Sequence, residues 1–291
     1  MTRIESVKNK IKLLTKLNKI YITFAVGITT AAGYVLKSQD FDTNMLWTVL
    51  GIFILACSSS VVNHIQESNT DALMKRTKKR PIPSGQISRS TAWWIAAIEF
   101  IAGSLILFVF SGWLALILGL TAYVWYNLIY TNLKKVTALA VIPGSVIGAI
   151  PPLVGWVAAG GSLLETNAVI IALFFFIWQI PHFWMLALQF AQDYRKAGFP
   201  ALTDLFSTEQ INRQIFVLII LTAFMASILA FSELITSQIS EVMILALSIG
   251  LIIQFSRLLR QEGKMILKIH FRAINYYVLM VVILLCIDHM I

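Results

Sequence analysis

Nine long runs of apolar side chains occupy most of this sequence. They cover residues 20–37, 44–65, 91–110, 112–130, 138–159, 166–190, 213–232, 240–258 and 272–290. An α-helix needs about 20 apolar residues to cross a bilayer, and each run is that long or nearly so. Because the third and fourth runs meet at Ser111-Gly112, a tight helical hairpin is expected there. The sequence therefore predicts an all-α, polytopic membrane protein with nine transmembrane helices in a single domain, residues 1–291.

The positions of the basic residues predict how these helices are oriented. If the N-terminus lies inside the cell, 22 of the 23 Lys and Arg residues fall on inner segments, and only Lys37 lies outside. This is the bias of the positive-inside rule, and a wrong number of helices would destroy it. The net charge of +9 is thus attributed to topology and anionic lipid. No basic–aromatic pattern suggests nucleic acid. We expect a bacterial inner-membrane protein with a cytoplasmic N-terminus.

An acidic helix end leads directly into a basic loop after the second run. Asn63, Glu67 and Asp71 are spaced four residues apart, so in a helix they share one face. Oxygen ligands of this kind suit Mg²⁺, which binds one or two carboxylates together with water and phosphate oxygens. The basic residues that follow would suit a diphosphate. The alternative is a solvated loop of mixed charge at the membrane surface.

Two more polar stripes run toward the same inner surface. One lies on the fourth run and the other on the sixth: Tyr123, Asn127, Tyr130 and Lys134; and Gln179, His182, Gln189 and Asp193. Polar residues within a membrane are costly and often functional, although hydrogen bonding between helices is an alternative that needs no ligand. His182 is compatible with packing, with proton transfer and with contact to a ring-shaped substrate. The Pro- and Gly-rich fifth run predicts a kinked cavity wall.

Three blocks within residues 60–205 form a distinctive combination. They are Asn63-x3-Glu67-x3-Asp71 with Arg76-Thr-Lys-Lys-Arg-Pro81; Tyr130-Thr-Asn-Leu-Lys-Lys135 leading to Pro151-Pro152; and Trp178-Gln-Ile-Pro-His182-Phe-Trp184 with Asp193-Tyr194. The combination resembles the UbiA superfamily of intramembrane prenyltransferases and, within it, the heme O synthases. The chain departs from the family where Glu67 replaces a common Asp, Lys79 replaces a common Asn, and Lys16-Leu-Asn18 replaces Lys-Pro-Arg.

The resemblance implies a UbiA-type bundle that transfers the farnesyl group of farnesyl diphosphate to a vinyl group of heme b, with water addition, giving heme O and diphosphate. It implies a Mg²⁺ cofactor bound by Asn63, Glu67, Asp71 and Asp193. The residues expected to bind substrate are Lys16, Arg76, Lys78, Arg80, Tyr130, Lys134, Gln179 and His182. Those expected to act in catalysis are Asp71, Asp193, His182 and Lys134. The active site is expected on the cytoplasmic face.

The resemblance also suggests partners and competing functions. Membrane lipid is an expected partner, and a heme A synthase or a terminal oxidase is a possible assembly partner. One alternative is prenyl transfer to a quinone precursor or a chlorin-like acceptor. A different class of protein, a heme or isoprenoid transporter, would have no need of diphosphate chemistry. Mg²⁺-dependent release of diphosphate therefore separates the enzyme from the transporter.

Overall fold

The computed structural model describes residues 3–259 and 264–288, and within them it is helical with no β-strand. Ten α-helices of six or more residues carry the fold. They are α1 (Arg3–Leu17), α2 (Ile20–Ser38), α3 (Thr43–Leu73), α4 (Arg89–Val124), α5 (Val146–Ala158), α6 (Thr166–Gln189), α7 (Ala191–Lys196), α8 (Thr208–Ala230), α9 (Gln238–Ser256) and α10 (Lys264–Asp288). Beyond α4 the chain continues as a π-helical turn, Trp125–Tyr130, and a last α-turn, Thr131–Leu133.

The predicted hairpin lies within α4. Gly112 leaves the helical conformation, with φ 83° and ψ 172°. The side chain of Leu107 lies 3.0 Å from the position that a Cβ on Gly119 would take, whereas twelve residues of straight helix would separate them by about 18 Å. Eight helical stretches in the described residues are long and apolar enough to cross a membrane. Counting both arms of the hairpin in the stretch Arg89–Leu133 gives nine passes.

The two longest helices, α3 and α4, begin at side-chain caps that the sequence supplies. Asp42 accepts a hydrogen bond from the backbone N–H of Met45 at the start of α3, and Ser88 accepts one from Thr91 at the start of α4. Such caps satisfy backbone donors that the first helical turn leaves unpaired. Long, well-capped α3 packs against α4 over much of its length.

Glycine allows α2 and α5 to cross with their backbones in contact. A Cβ on Gly33 would lie 1.9 Å from the carbonyl oxygen of Pro152, and one on Gly155 would lie 1.9 Å from that of Thr30. Only a residue without a side chain fits at these two positions. Small residues are the usual means of close helix approach in membranes.

The second predicted span is longer in the structure than the sequence suggested. The apolar run was placed at 44–65, but α3 continues to Leu73. The additional turns carry Glu67 and Asp71, whose side chains are buried. Charged residues lower the hydropathy of a window even when they face the protein interior, so an apolar run ends before the helix does.

Candidate active site

The inner end of α3 carries a buried acidic face. Asn63, Glu67 and Asp71 are all buried, and Asp71 has no exposed surface. Both oxygens of the Asp71 carboxylate accept hydrogen bonds from Nη1 of Arg80, at 2.9 and 2.7 Å. Glu67 forms an ion pair with Lys134, and its Oε2 lies 4.0 Å from Nη1 of Arg80. The face is therefore an arrangement of paired charges, as buried carboxylates require.

Lys19 is a third cation at this face, and the sequence did not reveal it. Its Nζ donates hydrogen bonds to Oδ1 of Asn63 at 2.6 Å and to the hydroxyl of Tyr126 at 3.3 Å. Lys19 joins α1 to α2 in a left-handed conformation, with φ 48° and ψ 48°. This conformation is uncommon outside glycine and costs on the order of 1 kcal/mol or more. The tight turn directs the side chain into the bundle.

The pKa values of Lys19 and Lys134 are shifted in opposite directions, although both side chains approach the acidic face. Burial, reinforced by the positive charge of Arg80, lowers the pKa of Lys19 to about 7. Burial is also the largest single influence on Lys134 and acts against its charge, but the Glu67 carboxylate, its hydrogen bond with Lys134 and the nearby Tyr126 and Tyr194 together raise the Lys134 pKa above its ordinary value. Lys134 thus stays charged, while Lys19 is poised between its two protonation states near neutral pH.

Lys16, the predicted contact in the same region, lies elsewhere. Its side chain is exposed on α1, and it makes no hydrogen bond or ion pair within the described residues. Arg76 and Lys78 are also exposed. Of the five predicted phosphate-binding cations, the structure brings Arg80 and Lys134 against the acidic side chains.

Asp193 reaches the site from the other half of the bundle. Its Oδ2 accepts a hydrogen bond of 3.3 Å from the backbone N–H of Arg76, whose guanidinium lies 4.8 Å from the ring centre of Phe190. The loop after α3 and the segment after α6 therefore lie on the same side of the bundle. Within the described residues Asp193 does not join Glu67 and Asp71 in a cluster of three metal-ligating side chains.

A column of aromatic rings connects the charged face to the middle of the bundle. Tyr126 stacks on Tyr130 at 5.9 Å between ring centres, and Tyr130 stacks on Phe183 of α6 at 6.0 Å. The ammonium of Lys134 lies 5.3 Å from the centre of the Tyr130 ring. Aromatic faces attract cations, so this column is suited to a positively charged group beside the acidic face.

His182 lies at the far end of this column, among aromatic side chains of α6 and α10. Its ring centre is 5.0 Å from that of Trp178, 5.5 Å from that of Phe183 and 4.7 Å from that of Phe271. Its Nδ1 is 2.9 Å from Oδ1 of Asn275. Neither Phe271 nor Asn275 was singled out from the sequence, because the ninth apolar run shows no regular polar stripe.

Two further residues of the predicted polar stripes, Gln179 and Asn127, lie between helices. The side-chain oxygen of Gln179 would lie 2.6 Å from a Cβ on Gly148, so Gln179 fills the gap left by that glycine between α5 and α6. Asn127 donates hydrogen bonds to the hydroxyl of Ser59 and the carbonyl oxygen of Tyr123. For Asn127 the helix–helix bonding alternative is therefore the one observed.

The donor set at the end of α3 fits a hard divalent cation. Two carboxylates and one amide oxygen share a face, and magnesium sites are built from one or two carboxylates completed by water and phosphate oxygens. Arg80, Lys134 and Lys19 are close enough to bind the oxygens of a phosphate group that shares such a metal. The arrangement can bind an anionic leaving group and stabilise the charge that develops on it.

Comparison with known proteins identifies the family. The profile described as the UbiA prenyltransferase family matches residues 25–285. The chain belongs to the UbiA prenyltransferase family. Solved structures of other proteins show the same fold. One, described as digeranylgeranylglyceryl phosphate synthase, covers 97% of this chain and 99% of its own with a TM-score of 0.78 at 18% identity.

A second solved structure is that of a UbiA homolog from Archaeoglobus fulgidus bound to GPP and Mg²⁺. It covers 94% of this chain and 99% of its own, with a TM-score of 0.68 and 14% identity. At such identities the two structures show that the fold is shared. The binding of GPP and Mg²⁺ is a property of the archaeal protein.

Curated relatives of higher identity are named protoheme IX farnesyltransferase. The protein from Geobacter sulfurreducens is 40% identical over 178 residues, which are 61% of this chain and 65% of the relative. The protein from Cytophaga hutchinsonii is 40% identical over 64% of this chain and 66% of its own length. These matches span just under two thirds of the two relatives. The protein from Christiangramia forsetii is 30% identical over 92% of this chain and 90% of its own length.

Proposed function

We propose that this UbiA-family chain transfers the farnesyl group of farnesyl diphosphate to a vinyl group of heme b, giving heme O and diphosphate. The observation that carries the proposal is the joining of two sites by one aromatic column. The first site is an acidic face surrounded by cations, and the second is the cluster of aromatic rings around His182. The names of the curated relatives supply the identity of the two substrates.

The charged site would bind the diphosphate and favour its departure. Asn63, Glu67 and Asp71, with Asp193 from the opposite segment, would hold Mg²⁺, which would neutralise the diphosphate and make it a better leaving group. Arg80, Lys134 and Lys19 would donate hydrogen bonds to its oxygens. Arg80 and Lys134 are already held in place by Asp71 and Glu67, and Lys19 by Asn63 and Tyr126. Little reorganisation is therefore required as negative charge develops. Exposed Arg76 and Lys78 would attract the anionic substrate to the site.

The aromatic column would protect the allylic cation that remains. The bond between C1 of the farnesyl group and the diphosphate oxygen breaks, and its electron pair leaves with the diphosphate. The vinyl group of heme then supplies the electron pair for the new carbon–carbon bond, and water adds to the resulting cation with loss of a proton. Tyr130 and Phe183 present π-faces along this path, and such faces stabilise cations. A dry cavity limits premature capture of the cation by water.

Gln179 and His182 would contact the heme. Both lie on α6, on the acceptor side of the column, and the three aromatic rings around His182 provide flat surfaces for a porphyrin. The distribution of basic residues supports an inner-membrane location with the charged site facing the cytoplasm.

The test is to supply both substrates and identify the product. The purified chain in detergent is incubated with hemin under reducing conditions, farnesyl diphosphate and Mg²⁺, and extracted hemes are identified by mass. We expect heme O and stoichiometric diphosphate, both abolished by a chelator. Diphosphate release with a quinone precursor but not with heme would reassign the acceptor. Heme or prenyl diphosphate binding without any diphosphate release would favour the transporter.

A further inference from the structure

The hydrogen bond between His182 and Asn275 has a direction that its surroundings determine. Nδ2 of Asn275 donates to the backbone carbonyl of Phe271 at 2.7 Å. Turning the amide over would place Oδ1 against that carbonyl oxygen, and two acceptors cannot share a hydrogen bond. Oδ1 of Asn275 therefore faces His182, and Nδ1 of the imidazole, 2.9 Å away, must be the donor.

This direction determines which nitrogen of His182 carries a lone pair. A neutral imidazole has one N–H group, and Asn275 places it on Nδ1. Nε2 is then an unprotonated acceptor. It has no hydrogen-bond partner within the described residues, and it is not among their fully buried side-chain nitrogens that lack one, so Nε2 keeps some accessible surface. The rings of Trp178, Phe183 and Phe271 lie around the imidazole.

We propose that Asn275 is a positioning residue: it holds His182 as the Nδ1–H tautomer, so that Nε2 offers its lone pair to the iron of a heme acceptor. Histidines that bind metals commonly donate their other N–H group to a carbonyl or carboxylate, which fixes the tautomer and the ring orientation. Flat aromatic walls around the nitrogen suit a planar macrocycle. This inference rests on the proposed function, because it requires heme as the acceptor.

The experiment compares two ligands that differ only in the iron. Affinities for hemin and for metal-free protoporphyrin IX are measured on the purified full-length chain by absorbance and fluorescence titration. Asn275→Leu is expected to weaken hemin binding about 10- to 100-fold, the usual effect of removing such a partner of a metal ligand, and to change the hemin absorption spectrum. Protoporphyrin IX binding should stay unchanged. Asn275→Asp keeps an acceptor for Nδ1–H and should restore the hemin preference.

A double mutant shows whether Asn275 acts through His182. In a His182→Ala background, Asn275→Leu should cause no further loss of hemin affinity, because the nitrogen that it orients is gone. Equal losses for hemin and protoporphyrin IX would mean that Asn275 only packs the pocket. An unchanged hemin preference would also overturn the inference.

Failure of the proposed function gives a different result. If the unmodified chain neither binds hemin nor farnesylates it, the function and the role of Asn275 both fall. If it makes heme O while Asn275→Leu retains the full hemin preference, only the role of Asn275 falls. Farnesyl diphosphate binding, measured on every variant, reports whether the charged site is intact.

Discussion

Replacing Gly155 with alanine tests the crossing of α2 and α5. The new Cβ would lie 1.9 Å from the carbonyl oxygen of Thr30 and 2.6 Å from the backbone nitrogen of Tyr34. Ordinary contact begins at 3.4 Å, so the two helices must separate by about 1.5 Å at this point. The atoms met are backbone, and no side chain can rotate away to relieve the contact. Overpacking of this kind costs about 1–3 kcal/mol or more.

The measurement is the melting temperature of the purified protein in one detergent, followed by size-exclusion chromatography after heating. At about 2–4 °C per kcal/mol, Gly155→Ala should lower Tm by roughly 2–12 °C. Gly250→Ala is the matched control, because Gly250 lies inside α9 with nothing within 4 Å of its Cβ position. Alanine favours a helix over glycine by about 1 kcal/mol, so this variant should melt at or slightly above the unmodified protein. Equal Tm values for both variants would refute the close crossing.

The other predictions concern the charged site and its side of the membrane. Glu67→Gln and Asp71→Asn should each lower Mg²⁺-dependent diphosphate release about a hundredfold or more while the protein stays monodisperse; near-normal turnover at saturating Mg²⁺ would contradict their role. With a Lys19 pKa of about 7, affinity for farnesyl diphosphate should fall as pH rises above 7, because the ammonium charge is lost. Lys19→Arg should remove that part of the pH dependence. If the affinity of this variant for farnesyl diphosphate follows pH as that of the unmodified chain does, titration of Lys19 is not the cause. Single cysteines at Ser84 and Ser207 should resist an impermeant thiol reagent outside intact cells, and labelling of either would overturn the orientation.

The spacing of polar residues was sufficient to predict the acidic face. Asn63 and Glu67 share a face because four residues make slightly more than one helical turn. The stripe ending at Lys134 was expected to reach the same surface, and Lys134 does pair with Glu67. Helix periodicity determines the shared face on α3, and membrane orientation brings the end of the Lys134 stripe to the same surface. The direction in which Lys134 faces also depends on the π-helical turn Trp125–Tyr130, which the sequence pattern did not predict.

Contacts that depend on irregular backbone could not be predicted in this way. Lys16 and Lys19 are both basic residues before the first apolar run, and the sequence around them has no glycine or proline to indicate a turn. The left-handed conformation of Lys19 decides which of the two enters the bundle. The bond between Arg80 and Asp71 likewise depends on the path of the loop after α3. Asn275 was missed because the polar residues of the last apolar run, among them Arg272, Asn275 and Asp288, are too irregularly spaced to form a stripe.

The π-helical turn Trp125–Tyr130 makes the geometry of the site sensitive to chain length. The backbone N–H of Thr131 bonds the carbonyl five residues back, at Tyr126, whereas an α-helix bonds four back. The segment thus contains one residue more than an uninterrupted α-helix would need. That residue rotates Lys134 by about 100° relative to a regular helix, toward Glu67. Substitution of lipid-facing Leu128 should therefore be tolerated, whereas deleting the same residue would turn Lys134 away from its partner without removing any side chain from the site.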